Sequence, residues 1–115
     1  MEGKETYLYF GDNKGSNLAG ESCVYPASGF RGIDTTGAAS STISFQSTSG
    51  DNLDDEILVT HASGKYKQLC EAMAILMNSD KNDLVVVYDE DNNIIHPLLI
   101  SLGVAPTEIE ITLDT

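Results

Sequence analysis

The stretch Ile57-Leu58-Val59-Thr60-His61-Ala62-Ser63-Gly64-Lys65-Tyr66 (ILVTHASGKY) runs from an apolar segment through Ser-Gly-Lys into a helical pattern. A strand, a glycine, a lysine and a helix start are also the parts of a phosphate-binding loop. This stretch therefore separates a nucleotide-binding fold from a plain strand-to-helix joint. The phosphate loop needs a glycine four residues ahead of its Gly-Lys pair's immediate predecessor and a hydroxyl residue directly after the pair. Val59 and Tyr66 stand at those two positions. A β-branched valine cannot make the tight turn that aims amides at phosphate, and tyrosine replaces the Mg²⁺-binding hydroxyl. The joint is therefore read as architecture, with Ser63 expected to cap the helix and Gly64 to ease the turn.

Working outward, Ser41–Ser47 alternates, with Ile43 and Phe45 on one side and Thr42, Ser44 and Gln46 on the other. Thr48–Asp55 reads as a polar turn, so Ser41–Ser47 and Glu56–His61 are expected to form a hairpin. Downstream, a helix is expected over residues 64–79. Its stripe of Tyr66, Leu69, Cys70, Met73, Leu76 and Met77 follows the helical period. Ala72, Ala74 and Ile75 make its second half apolar nearly all round, which points to a subunit contact.

Beyond the helix, Leu84–Tyr88 (LVVVY) is a continuous apolar run, the pattern of a strand covered on both faces. Ile94–Ser101 (IIHPLLIS) is read as its hairpin partner, demoted by Pro97 to an edge or bulged strand. Glu108–Leu113 alternates, with Ile109, Ile111 and Leu113 inward. Near the N-terminus, Thr6–Phe10 (TYLYF) is strand-like. Residues 11–40, rich in glycine and turn residues, read as a long irregular arm with one short strand at Ser22–Tyr25. Its apolar points Val24, Tyr25, Phe30 and Ile33 need a packing partner in the domain or in a neighbouring subunit.

The expected fold is α+β. It is a mainly antiparallel sheet, or a small β-barrel or sandwich, of about six strands with a single packed helix. The 115 residues fit one domain, 1–115, and a hydrophobic share of 41% suits a globular chain. Eighteen acidic against six basic residues give a formal net charge of −12. That charge disfavours nucleic acid and anionic membranes as partners. MEGKETYLYFGDN lacks a basic region followed by a long apolar run, so no signal peptide is expected, and no segment reaches the length of a membrane span. A soluble protein made in a cytoplasm is expected, with Cys23 and Cys70 reduced.

Candidate chemistry is sparse. The acidic turns Asp51–Glu56 and Asp89–Asn93 offer oxygen ligands for a loose Ca²⁺ site, or are simply solvated. Counted from Asp89, an EF-hand would need glycine at Ile94 and glutamate at Ile100. His61 and His96 have no zinc-ligand spacing. No nucleophile constellation stands out, so no enzymatic activity, cofactor or metal is expected.

Tyr25-Pro26-Ala27, Phe30-Arg31-Gly32-Ile33-Asp34, Ser41–Phe45, Ile57–Thr60 and Gly64-Lys65 through Ala74 together resemble small virion structural proteins of marine tailed phages, cyanophages especially. The resemblance covers about the middle half of the chain and carries no catalytic motif. It implies a virion or assembly component that acts by subunit association, with itself and other virion proteins as partners. The interface candidates are Tyr25, Phe30, Arg31, Ile33, Ile75 and Met77, since arginine and aromatic residues anchor interfaces. Arg31 has a second reading, a local pair with Asp34. The alternative function is a small-molecule or divalent-cation-binding α+β module.

Overall fold

Alternation around the opening stretch produces the expected hairpin. In the computed structural model, which describes residues 6–12, 22–47, 54–78 and 84–112, β4 (Ser40–Gln46) pairs antiparallel with β5 (Asp54–Thr60). Ile43 lies opposite Ile57 and both are buried, as are Phe45 and Val59. β3 (Phe30–Gly37) and β8 (Glu108–Thr112) flank the hairpin, giving the sheet order β3-β4-β5-β8. Ile109 and Ile111 point inward as their alternation requires. Leu113 lies outside the described residues.

A second sheet has the order β2-β1-β6-β7, from β1 (Tyr7–Gly11), β2 (Ser22–Pro26), β6 (Leu84–Asp89) and β7 (Ile94–Ile95). The chain leaves this sheet after β2, builds β3, β4 and β5, and returns through helix α1 (Tyr66–Met77). β6 therefore arrives beside β1 in the same direction, the one parallel pair among the described strands. The fold is α+β, with two antiparallel-dominated sheets and two helices, rather than the expected six strands and one helix.

The corrections have local causes. Within the expected arm 11–40, residues 22–37 are strand, 3-10 turn and strand; 13–21 lie outside the described residues. The glycines that suggested loop sit where β3 shifts register, between Phe30 and Gly32 and between Thr35 and Gly37. Gly32 adopts a φ of +154°, which side chains rarely tolerate, so glycine here permits a bulge instead of ending the strand. Ile94–Ser101 pairs only through Ile94 and Ile95, and then forms helix α2 (Pro97–Ser101). Proline occupies the start of this helix, where its missing amide costs nothing, and His96 Nδ1 accepts the Leu98 N–H at 3.1 Å. β5 begins at Asp54, so the end of the expected polar turn is strand. Lys65, rather than Ser63, is the N-cap residue of α1, and no side chain caps that end.

Both sheets and both helices contribute to one core. Leu8, Phe10 and Tyr25 from the second sheet meet Ile43, Phe45, Ile57, Ile109 and Ile111 from the first. α1 adds Leu69, Ala72, Met73 and Leu76, and α2 adds Leu99. The Phe45 ring stacks on Tyr25, with centroids 4.6 Å apart and planes within 8°, and lies 5.7 Å from Phe10. Such pairs contribute about 0.5–1.5 kcal/mol beyond burial. The Tyr25 hydroxyl donates to Asp55 Oδ2 at 2.8 Å, placing a buried carboxylate of β5 against a phenol of β2.

Carboxylates also tie the sheets at edge strand β8. The Ile111 N–H donates to Asp12 Oδ2 at 3.0 Å, and the Ile109 N–H to Glu90 Oε1 at 3.2 Å. At the opposite edge, the Tyr66 hydroxyl donates to the Ile33 carbonyl at 2.7 Å. These contacts occupy edge groups that would otherwise invite strand addition.

The Phe45→Ala variant is expected to lose about 3–5 kcal/mol of unfolding free energy, because it empties the site where both sheets meet. Ile75→Ala on the exposed side of α1 should stay within about 0.5 kcal/mol of the parent. Urea unfolding of the two variants checks both values, and equal losses would contradict this placement of the core.

Candidate functional site

At the strand-to-helix joint, Gly64 has a φ of +77° and its amide donates to the Ala38 carbonyl at 2.8 Å. That amide is therefore committed to the loop between β3 and β4. The Lys65 side chain runs toward Gly103, whose Cβ position would lie 3.5 Å from Lys65 Nζ. The joint thus packs against the end of α2.

Nearby, His61 Nδ1 lies 2.8 Å from the Ala62 carbonyl and Nε2 lies 2.9 Å from Ser41 Oγ. A carbonyl only accepts, so Nδ1 carries a proton, and in the neutral ring Nε2 accepts from the Ser41 hydroxyl. A serine paired with an oriented imidazole is also the beginning of a nucleophile site. Both residues are buried, however, which leaves a substrate no approach. The pair fixes the end of the β4–β5 hairpin. His96, the other histidine, caps α2.

The turn after β6 uses its own carboxylate. Asp89 is buried, and its Oδ2 accepts from Asn92 Nδ2 at 2.8 Å. Among the described residues no group of three or more His, Cys, Asp or Glu side chains could hold a metal ion. The first part of the other acidic turn, 51–53, lies outside the described residues. Cys23 and Cys70 are half-buried and form no disulfide among the described residues.

The interface candidates are scattered. Tyr25, 2% exposed, belongs to the chain's own core and offers no surface to a partner. Phe30, Ile33 and Met77 are half-buried and pack against that core. Arg31 is exposed, and its Nε lies 3.6 Å from Asp54 Oδ1, so the ion pair forms with β5 rather than with Asp34. Ile75 is 57% exposed, leaving the second half of α1 with an uncovered apolar side chain.

The outer faces of the two sheets differ in chemistry. Residues paired across strands share a face, and Tyr7 pairs with Pro26 and Leu84, while Tyr9 pairs with Val24 and Val86. These six side chains, with Ser22 beyond them, form the face of the β2-β1-β6-β7 sheet turned away from Leu8 and Phe10. Tyr7, Val24 and Leu84 are 43%, 44% and 54% exposed. The Tyr9 hydroxyl donates to Ser22 Oγ at 3.1 Å. None of these residues is charged.

The outer face of the β3-β4-β5-β8 sheet carries Asp34, Asp54, Glu56, Glu108 and Glu110 among threonines and serines. It contains a shallow depression of about 420 Å³ lined by Thr36, Ser40, Thr42, Glu56, Leu58, Glu110 and Thr112. Thr36 Oγ1 and Ser40 Oγ lie 2.9 Å apart at its rim. Sequence reading named neither face, because each needs the cross-strand register. The available signal was the uninterrupted apolar character of TYLYF and LVVVY.

No protein-family model, curated protein or solved structure matches this chain. No helix among the described residues is long and apolar enough to cross a membrane.

Three phenols are shifted upward. Burial, followed by hydrogen bonds with Cys23 and Asp55, pushes Tyr25 far above the ordinary tyrosine value. Tyr66 is raised first by its hydrogen bond with Cys70, and Tyr88 first by burial and then by Glu90 and Glu108. A phenol raised on folding gives its stabilisation in full below the unfolded value of about 10, and loses it as pH climbs beyond. Stability should therefore fall as pH rises above about 10, and less steeply in Tyr25→Phe. Denaturant midpoints across that range check the difference, and parallel curves would contradict the role given to Tyr25.

Proposed function

We propose that this chain is a non-enzymatic structural subunit that works by associating with copies of itself. The observation that carries this reading is the uncharged apolar face formed by Tyr7, Tyr9, Val24, Pro26, Leu84 and Val86. The continuous apolar run of β6 has the composition of a strand covered on both sides, and among the described residues its second half, Val87 and Tyr88, is buried while its start is not. Leu84 is left more than half exposed. A second copy suits the missing cover because each chain carries a net charge of −12, so two copies approach at least electrostatic cost through a neutral face. With Tyr25 inside the core, the proposed association surface is a sheet face to which the expected arm contributes Val24 and Pro26. Ile75 on α1 offers a separate apolar point. We propose that this association serves the building of a particle, as the sequence resemblance to marine tailed-phage virion proteins implies.

A second reading, a small-molecule-binding module, is supported by the depression on the other sheet. Its divalent-cation form has less support, since the described residues provide no three-ligand cluster.

Sedimentation equilibrium at micromolar to high-micromolar concentration is expected to show reversible association. Raising salt toward about 0.5 M should strengthen it, because screening relieves the repulsion between acidic copies. The double variant Val24→Glu/Leu84→Glu should remain folded by circular dichroism and sediment as a monomer. A parent chain that is monomeric throughout, or a double variant that associates as the parent does, would overturn the proposal.

A further inference from the structure

Among the described residues, positive φ falls on Gly32, Gly64, Gly103, Asn93 and Ala105. Glycine takes such a conformation freely and asparagine tolerates it, so Ala105, at φ +48°, is the one whose own chemistry opposes it. Its neighbour deepens the conflict. Ala105 precedes Pro106, and a residue before proline is pushed toward extended backbone with negative φ. Anchored backbone on both sides imposes the turn. The Val104 N–H donates to the Leu99 carbonyl at 3.0 Å, and the Val104 carbonyl accepts from the Ala62 amide at 2.8 Å. On the other side, the Thr107 N–H donates to the Thr60 carbonyl at 2.8 Å. Ala105 and Pro106 alone therefore turn the chain from the end of α2 into β8, against their local preference.

We infer that β8 is an exchangeable strand, swapped between two copies of this chain about the hinge Ala105-Pro106. β8 is the last element in chain order among the described residues, so it leaves without displacing any that follow. In the exchanged pair, Ala105 relaxes to extended backbone and the chain runs on into the other copy instead of turning back. There β8 meets the same register on β5, the same core for Ile109 and Ile111, and the same Asp12 and Glu90 carboxylates for its edge amides. Only the strained turn differs between the two arrangements, and a short hinge under strain favours exchange. Ile109 and Ile111 are buried, so β8 must leave the core before it exchanges. Folded copies do not swap on simple mixing, which separates this pairing from the reversible contact proposed for the neutral face.

Annealing the Val24→Glu/Leu84→Glu chain near its urea midpoint at about 1 mM, then removing urea and diluting, tests this without help from the neutral face. Size-exclusion chromatography is expected to show a dimer that persists on dilution. Adding Ala105→Gly, which removes the strain from the closed turn, should lower the association constant about tenfold for each of the two hinges. Circular dichroism checks that this variant folds as its parent does. Cross-linking locates the strand through Leu58→Cys/Glu110→Cys, a facing pair on β5 and β8. Oxidation should close this pair within one chain in the monomer and between two chains in the dimer. Monomer alone after annealing would overturn the proposal. So would an Ala105→Gly dimer as abundant as its parent's, or a persistent dimer whose cross-links stay within single chains.

Discussion

The stacked Tyr25 and Phe45 rings, together with the hydrogen bond from Tyr25 to Asp55, hold the two sheets in one relation. Tyr25 belongs to β2, Phe45 to β4 and Asp55 to β5, so three strands from two sheets converge at a single buried point. A buried carboxylate must find donors, and a buried phenol must find an acceptor. Satisfying both fixes which side of β2 and β1 turns inward. Strand alternation then commits Leu8 and Phe10 to the core and sends Tyr7, Tyr9 and Val24 outward. The apolar outer face is thus a consequence of the same register that builds the core.

The edges bear on how such a face is used. Asp12 and Glu90 accept amides of β8, and Tyr66 donates to a carbonyl of β3. These contacts oppose strand addition at the ends of that sheet. The proposed association uses a broad face instead, where apolar side chains rather than backbone groups would meet a partner. The proposed contact through the neutral face would be opposed by net charge and helped by screening.

Local periodicity made part of this fold legible. The β4–β5 hairpin, β8 and α1 follow from period two and period 3.6, and the failed phosphate-loop template excluded the rival reading of the helix joint. β3 was missed because glycine marks a bulge as readily as a loop, and only pairing with β4 distinguishes them. α2 was missed because a short apolar run after Ile95 fits either helix or strand, and His96 capping cannot be read without coordinates. The division into two sheets, the parallel β1–β6 pair and the Tyr25–Asp55 contact join residues far apart in the chain, which no local pattern records. For the candidate surfaces, the sequence showed apolar and acidic strands but not which residues share a face. Of the proposed interface residues, Ile75 stands clearly exposed and apolar, while Tyr25 illustrates that an aromatic in a glycine-rich segment can be a core residue.

The central claim is that the neutral outer face of the β2-β1-β6-β7 sheet is where copies of this chain meet. A dilution series of ¹⁵N-correlated spectra tests it most directly, since amide shifts report on each strand separately. Concentration-dependent shifts should cluster at Tyr7, Tyr9, Val24, Leu84 and Val86, with the outer face of β4, β5 and β8 unchanged. Shifts confined to α1 around Ile75, or to Thr42, Leu58 and Glu110, would contradict the assignment, as would spectra that do not change with concentration.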